Sequence, residues 1–270
     1  MQIQLTAKEQ EATRYLCAAL DTETPYEAED LLKEVSGLVA YSKVNSVFTQ
    51  ASAYGFPVVA RLHEINPRRD GGVILDTKTH DTPSSTYHTI KGLSKILGVS
   101  MITVHTAGGE EMCRMAVRGA EDGAADLKRV GKYDFYNQER PKIIGVTVLT
   151  SEDDTSLRAQ GYRLNYHDLV ILRAEWAKNS GLDGVVCSSD MVDDIEREFG
   201  PGFIYLLTGM EWNGIKGKDQ KHPYLPQDAI RKNRNCLLVA GSALRMAKNR
   251  RETIYEIVKA VATELKSTPS

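Results

Sequence analysis

Eight short apolar runs, spread over almost the whole chain and separated by segments of helical period, constrain this sequence more than any other feature. The runs are Leu16 to Leu20, Val39 to Val44, Val73 to Leu75, Met101 to His105, Ile143 to Leu149, Gly184 to Cys187, Phe203 to Leu207 and Cys236 to Ala240. Runs this short, apolar at nearly every position, read as strands buried on both faces. Between them, Tyr26 to Val35, Thr86 to Leu97, Glu110 to Asp126, Asp168 to Asn179, Met191 to Phe199 and Thr253 to Leu265 carry apolar residues at helical spacing. Strands alternating with helices predict a parallel sheet. Eight such units in 270 residues fit a closed (β/α)8 TIM barrel, which typically takes about 250. An open doubly wound sheet fits less well, because Asp21-Thr22-Glu23-Thr24-Pro25 follows the first strand in place of a Gly-x-Gly-x-x-Gly turn. No shift of composition marks a second domain, so residues 1–270 read as a single α/β barrel domain. The least regular stretch, residues 209–227, is expected to be a lid loop after strand seven, at the active-site face.

Composition narrows the class of protein. With 41% hydrophobic and 26% charged residues and a mean hydropathy of -0.34, the chain is neither disordered nor fibrous. Its 34 Lys and Arg nearly cancel 36 Asp and Glu, so no overall basic field points to nucleic acid or an anionic membrane. The cysteines, Cys17, Cys113, Cys187 and Cys236, form no Cys-x-x-Cys pair, which argues against a structural zinc site or a redox dithiol. Met1 to Arg14 has no apolar core of a signal peptide, and no run approaches the ~18 apolar residues of a membrane span. The reading is a cytoplasmic protein with no membrane partner.

Barrel chemistry is carried by side chains at the C-terminal ends of strands. Run one ends in Asp21, run two contains Lys43, run three leads into Asp76-Thr77-Lys78 and then Asp81, and run four ends in His105. Asp76 and Lys78, two apart on an extended strand, are expected to point the same way, into the mouth. Lys43, Asp76, Lys78 and Asp81 together make a compensated array of two cations and two anions, the only form in which such charges enter a barrel mouth cheaply. A lysine held between carboxylates stays protonated and is placed to act as a general acid.

Asp76-Thr77-Lys78-Thr79-His80-Asp81-Thr82-Pro83 resembles the Asp-x-Lys-x-x-Asp-Ile-Pro signature of the orotidine 5'-phosphate decarboxylase family. Further matches follow in the family's order: Ala19-Leu20-Asp21, Tyr41-Ser42-Lys43-Val44, Met101 to His105 with Gly108-Gly109, Val146 to Ser151, Gly181 to Ser188, and Asp219-Gln220-Lys221. The resemblance implies a homodimeric barrel that makes UMP without cofactor or metal. It implies that Lys78 delivers the proton to pyrimidine C6, that Asp76 lies beside the substrate carboxylate, and that Lys43 and Asp21 contact the ribose and the charge network. It also implies that Asp81 and its neighbours reach the partner subunit's site. Thr150 matches a hydroxyl that binds the pyrimidine, and Gln220 a glutamine spanning base and phosphate.

The chain departs from the family pattern mainly at the phosphate end. The Arg that usually follows the Gly closing strand eight is absent, and the chain reads Val239-Ala240-Gly241-Ser242-Ala243. Gly241 and Ser242 offer backbone N–H groups and a hydroxyl to an anion, and Arg245, one turn later, is the candidate for the missing charge. After strand seven the family's Thr-Pro-Gly-Ile-Arg appears as Thr208-Gly209-Met210-Glu211-Trp212. Thr82 stands where the family has an apolar residue beside the reacting carboxylate, and Ser85 lies near an expected substrate-binding hydroxyl. The pattern fits a divergent decarboxylase with a rearranged phosphate site, or a relative accepting another ligand.

Other polar residues have plainer readings. His105 reads as a packed rim histidine, His80 as structural, Asp183 as a turn residue before strand six, Arg245 to Arg251 as a solvated helix start, and Trp176 as core. Two other functions remain open from sequence. A magnesium-dependent phosphosugar decarboxylase or lyase, like the 3-keto-gulonate 6-phosphate decarboxylases, shares Asp-x-Lys-x-x-Asp but needs an extra acidic ligand, and Thr82-Pro83 favours the nucleotide branch. A non-catalytic nucleotide-binding barrel would have no evident need for all four charged residues.

Overall fold

The structure, a computed structural model, describes residues 3–53, 57–130, 139–218, 220–232 and 235–265. Eight parallel strands close into a barrel in sequence order: β1 (Leu16–Ala19), β2 (Tyr41–Val44), β3 (Gly72–Thr79), β4 (Val99–His105), β5 (Lys142–Val146), β6 (Gly184–Cys187), β7 (Ile204–Leu207) and β8 (Cys236–Ala240). Closure is made by β1 on β8, with Cys17 opposite Val239.

Helices α1 (Ala7–Ala12), α2 (Pro25–Val35), α3 (Ser46–Ala53), α4 (Val58–Ile65), α5 (Pro83–Leu93), α6 (Gly109–Val130), α7 (Asp154–Ala159), α8 (Tyr166–Asn179), α9 (Val192–Phe199), α10 (Pro226–Lys232), α11 (Ser242–Arg245) and α12 (Arg250–Glu264) accompany the strands. Their starts obey local chemistry. Thr24 caps α2 and Thr82 caps α5, each with its hydroxyl accepting a backbone N–H and each followed by proline at the first helical position. None of the described helices is long and apolar enough to cross a membrane.

Period-two alternation sorts the strands into two layers. Leu16, Ala18, Val73, Leu75, Ile102 and Val104 face the helices. Cys17, Ala19, Ile74, Met101, Ile144, Val146, Val186, Leu206, Leu237 and Val239 fill the barrel interior. The same parity carries Lys43, two beyond inward Tyr41, Asp76, two beyond Ile74, and Thr103, two beyond Met101, into the mouth. All four cysteines are buried and form no disulfide.

The sequence reading and the structure differ at defined places. β3 runs on past Leu75 to Thr79, because the charged residues after the apolar run remain in the sheet. β5 stops at Val146, and residues 147–150 turn into the rim of the mouth. The loop expected over 209–227 ends at Leu225, since Pro226 opens α10. Trp176 is only partly buried rather than core.

Candidate active site

The interior of the mouth is organised around one carboxylate. Asp76 Oδ2 accepts from Lys43 Nζ at 2.8 Å and from Lys78 Nζ at 2.6 Å, and its other oxygen accepts from the Thr103 hydroxyl at 2.9 Å. Asp21 completes the group from the end of β1, 3.8 Å from Lys43 Nζ. The Lys43 and Asp76 side chains are only 7% and 6% exposed, so their charges are affordable only as a set. Burial opposes the charge on Lys43, but the carboxylates of Asp76 and Asp21 outweigh it and raise its pKa above that of an ordinary lysine. Burial likewise opposes ionisation of Asp76, and the two lysine charges with their hydrogen bonds overcome it, pulling its pKa down to about 2. Both groups are therefore ionised throughout the physiological range.

Lys78 reaches this carboxylate in a way that strand alternation does not describe. Its backbone is left-handed, with φ at 45°, and not extended as expected. Pairing between β3 and β4 passes from Leu75 opposite Ile102 to Thr79 opposite Val104, so β3 spends four residues where β4 spends two. This bulge re-aims the lysine over the cavity while keeping it in contact with Asp76.

A cavity of about 480 Å³ opens above these residues, in the size range of small-molecule sites. Its floor is apolar, with Val146, Val186, Leu206 and Val239, and its charged side holds Asp21, Lys43, Asp76 and Lys78. Thr150 and Gln220 line another side, the Thr150 hydroxyl meeting Gln220 Oε1 at 2.7 Å and Thr208 Oγ1 at 3.1 Å. Gly209 makes room for that contact: its φ is +97°, and a Cβ there would lie 2.9 Å from Gln220 Oε1. The remaining end is lined by Gly217, Lys218, Gly241, Ser242 and Arg245.

Residues 14–257 match the sequence profile of a single family. The chain belongs to the orotidine 5'-phosphate decarboxylase / HUMPS family. A relative from Carboxydothermus hydrogenoformans named orotidine 5'-phosphate decarboxylase is 33% identical over 236 residues, covering 87% of this chain and 91% of the relative. Another so named, from Pseudoalteromonas translucida, is 30% identical over 252 residues, covering 93% and 98%. Among solved structures, orotidine 5'-phosphate decarboxylase from Lactobacillus acidophilus superposes with a TM-score of 0.72 at 27% identity, covering 91% of this chain and 98% of that one. An uncharacterized conserved protein from Geobacillus kaustophilus gives 0.71 at 27% identity, covering 91% and 99%.

Against that family frame, the residues anticipated from sequence fall into two groups. Asp21, Lys43, Asp76, Lys78, Thr150, Gln220, Gly241 and Ser242 all line the cavity. Asp81, Thr82 and Ser85 do not. Asp81 is exposed and turned to its own helix start, accepting from Thr82 N at 2.6 Å and from the Ser85 hydroxyl at 2.8 Å. The second carboxylate of the array within one chain is thus Asp21 and not Asp81. Asp219 lies outside the described residues.

Sequence reading missed Lys218 and Thr103. The first sits in an irregular loop with no period to place it. The second had a signal in its inward parity with Met101 and His105 on β4. His105 is a rim residue as expected, stacked on His80 at a ring separation of 5.7 Å, and burial followed by the charge of Arg173 lowers its pKa to about 4. Asp183 does more than turn the chain: it pairs with Arg140 at 2.6 Å and accepts from Ile143 N at 2.8 Å, tying β6 to the start of β5. Within the basic tract, Arg250 pairs with Glu34 at 2.8 Å, whereas Arg245 is a cavity residue.

Proposed function

We propose that this chain is a cofactor-independent carboxy-lyase that decarboxylates orotidine 5'-phosphate to UMP, with Lys78 as the proton donor. The observation that carries this reading is the pair of ammonium groups on a single oxygen of Asp76, at 2.8 and 2.6 Å, beside a nucleotide-sized cavity. When the bond between C6 and the carboxylate breaks, its electron pair stays on C6 and carbon dioxide leaves. The Lys78 ammonium supplies the proton to that carbon, and solvent later restores it. A fixed cation already in place where negative charge develops needs no reorganisation at the moment of reaction. Lys43 keeps Asp76 ionised, and Asp76 keeps Lys78 aimed.

The remaining cavity walls suit the rest of the nucleotide. Thr150 and Gln220 face the base, and Asp21 with Lys43 faces the ribose. Lys218 and Arg245, flanking Gly217, Gly241 and Ser242, provide the charge for the phosphate that the residue after Gly241 does not. A phosphate held far from the breaking bond contributes orientation and lid closure rather than chemistry. Thr82, Ser85 and the exposed Asp81 are assigned to the partner's site in a homodimer with shared active sites. Buried cysteines without a disulfide accord with action in the reducing cytoplasm.

The test is to mix purified protein with orotidine 5'-phosphate, with and without a chelator, and follow the loss of ultraviolet absorbance. Turnover indifferent to the chelator is expected. Chelator-sensitive activity on a keto-sugar phosphate, or stabilisation by UMP with no turnover at high protein concentration, would overturn the reading.

A further inference from the structure

We propose that Thr103 is a positioning residue for the decarboxylation, its single hydroxyl holding both Asp76 and Lys78 in their reacting arrangement. The inference rests on Lys78 being the proton donor. Thr103 is fully buried on β4, and its Oγ1 donates to Asp76 Oδ1 at 2.9 Å while accepting from the Lys78 backbone N–H at 2.9 Å. A hydroxyl has one proton to give and lone pairs to receive. Here the proton is committed to the carboxylate and a lone pair to the amide.

Each of these bonds solves a problem that the fold creates. The β3 bulge removes Lys78 from the regular ladder, between Leu75 opposite Ile102 and Thr79 opposite Val104. Its N–H therefore needs a partner other than a strand carbonyl, since buried backbone donors are almost always paired. Thr103 lies between Ile102 and Val104 on the facing strand, at the gap. The left-handed backbone of Lys78, φ 45°, is sparsely populated for a residue with a Cβ and persists only where its surroundings over-determine it. The hydrogen bond from its own amide to Thr103 is one such constraint. A second comes from Thr77, whose hydroxyl donates to the Thr103 carbonyl at 3.0 Å and brackets the same turn.

The bond to Asp76 fixes how that carboxylate presents itself. With Oδ1 occupied by Thr103, the lysines converge on Oδ2, and the plane of the carboxylate is set. Without the hydroxyl, Asp76 can rotate and Lys78 loses the anchor of its backbone. Such displacement affects the transition state more than nucleotide binding, which relies on other walls of the cavity.

Three full-length proteins test this: wild type, Thr103→Val, which replaces the hydroxyl with a methyl of similar size, and Thr103→Ser, which keeps it. Rates are referred to the concentration of sites that bind UMP. For Thr103→Val, kcat falls on the order of 100-fold with KM within about threefold, the scale of loss caused by a displacement near 1 Å. For Thr103→Ser, kcat recovers to within about fivefold of wild type, as a retained positioning bond requires. Should Thr103→Val not fold, Thr103→Ala takes its place. Unchanged kcat per binding site in the variant without a hydroxyl, or equal losses in both variants, overturns the proposal by assigning the effect to packing. If the wild-type chain does not decarboxylate orotidine 5'-phosphate, the reading of function fails separately. Crystal structures of wild type and Thr103→Val then decide positioning alone: a shift of Asp76 and of the Lys78 backbone supports it, and an unmoved pair overturns it.

Discussion

The hydroxyl of Thr150, just past β5, and Gln220 Oε1, in the loop after β7, meet at 2.7 Å across the mouth of the barrel. The residues next to Gln220 strengthen this closure. Lys221 pairs with Asp153 at 2.7 Å and donates its backbone N–H to the Thr150 carbonyl at 3.2 Å. His222 stacks on Tyr166 with ring centroids 4.3 Å apart. Three consecutive residues of this loop thus each hold a different anchor on the opposite rim.

On the proposed assignment, in which Gln220 joins the loop after β7 to the wall facing the base, Gln220→Ala should weaken both closure and binding. The expected result is a fall in kcat/KM of about 100-fold, carried mainly by KM, equivalent to the loss of two ordinary hydrogen bonds. Steady-state kinetics on orotidine 5'-phosphate checks it.

Arg245 and Lys218 line the end of the cavity assigned to the phosphate. Arg245→Ala should raise KM about 10- to 100-fold, the worth of one charge-assisted hydrogen bond. The same substitution should leave the slow reaction of orotidine, which lacks the phosphate, within about twofold, because no lost contact remains to be felt. Equal effects on both substrates would remove Arg245 from phosphate binding.

Among the described residues, Asp81 accepts hydrogen bonds from Thr82 and Ser85 of its own chain and stays exposed. If it completes the partner's site, Lys78→Ala and Asp81→Ala proteins are each inactive but complement one another. Random reassortment of two such proteins restores about a quarter of the sites, one intact site in each mixed dimer. Activity after mixing and re-annealing measures this directly.

His105 ties stability to pH. Burial and then the charge of Arg173 lower its pKa from 6.5 to about 4, so the folded chain holds it neutral while the unfolded chain protonates it. Its contribution is fully present above pH 6.5 and is lost as pH falls toward 4. Asp76, lowered to about 2, adds a further loss at still lower pH. Denaturant unfolding between pH 7 and 4 should show the first decline in wild type and a flatter profile in His105→Asn.

The barrel was legible in the sequence because each strand is an unbroken apolar run, and in parallel sheets covered on both faces such runs are required. Lys43 and Asp76 were legible for a related reason: a charge at an inward position can persist only beside its counter-charge. Lys78 was found for its chemistry but not for its geometry, since nothing in Asp76-Thr77-Lys78 announces a bulge that depends on β4. Thr103 was passed over because a threonine in a strand is ordinary, and only its two partners give it meaning. The pairing of Lys43 with Asp21 rather than Asp81 depended on how tightly the β3 exit turns, which side-chain order along the chain does not encode.

The central claim is that the Lys78 ammonium, held on Asp76, gives its proton to C6. Lys78→Ala removes that group and leaves Thr150, Gln220, Lys218 and Arg245 in place. The deciding measurement is kcat for conversion of orotidine 5'-phosphate by this variant, alongside its affinity for UMP. The account predicts a loss of at least about 1,000-fold in kcat, from general-acid and electrostatic contributions together, with UMP affinity within about tenfold of wild type. Retention of kcat within tenfold by a folded Lys78→Ala protein that still binds UMP would contradict it.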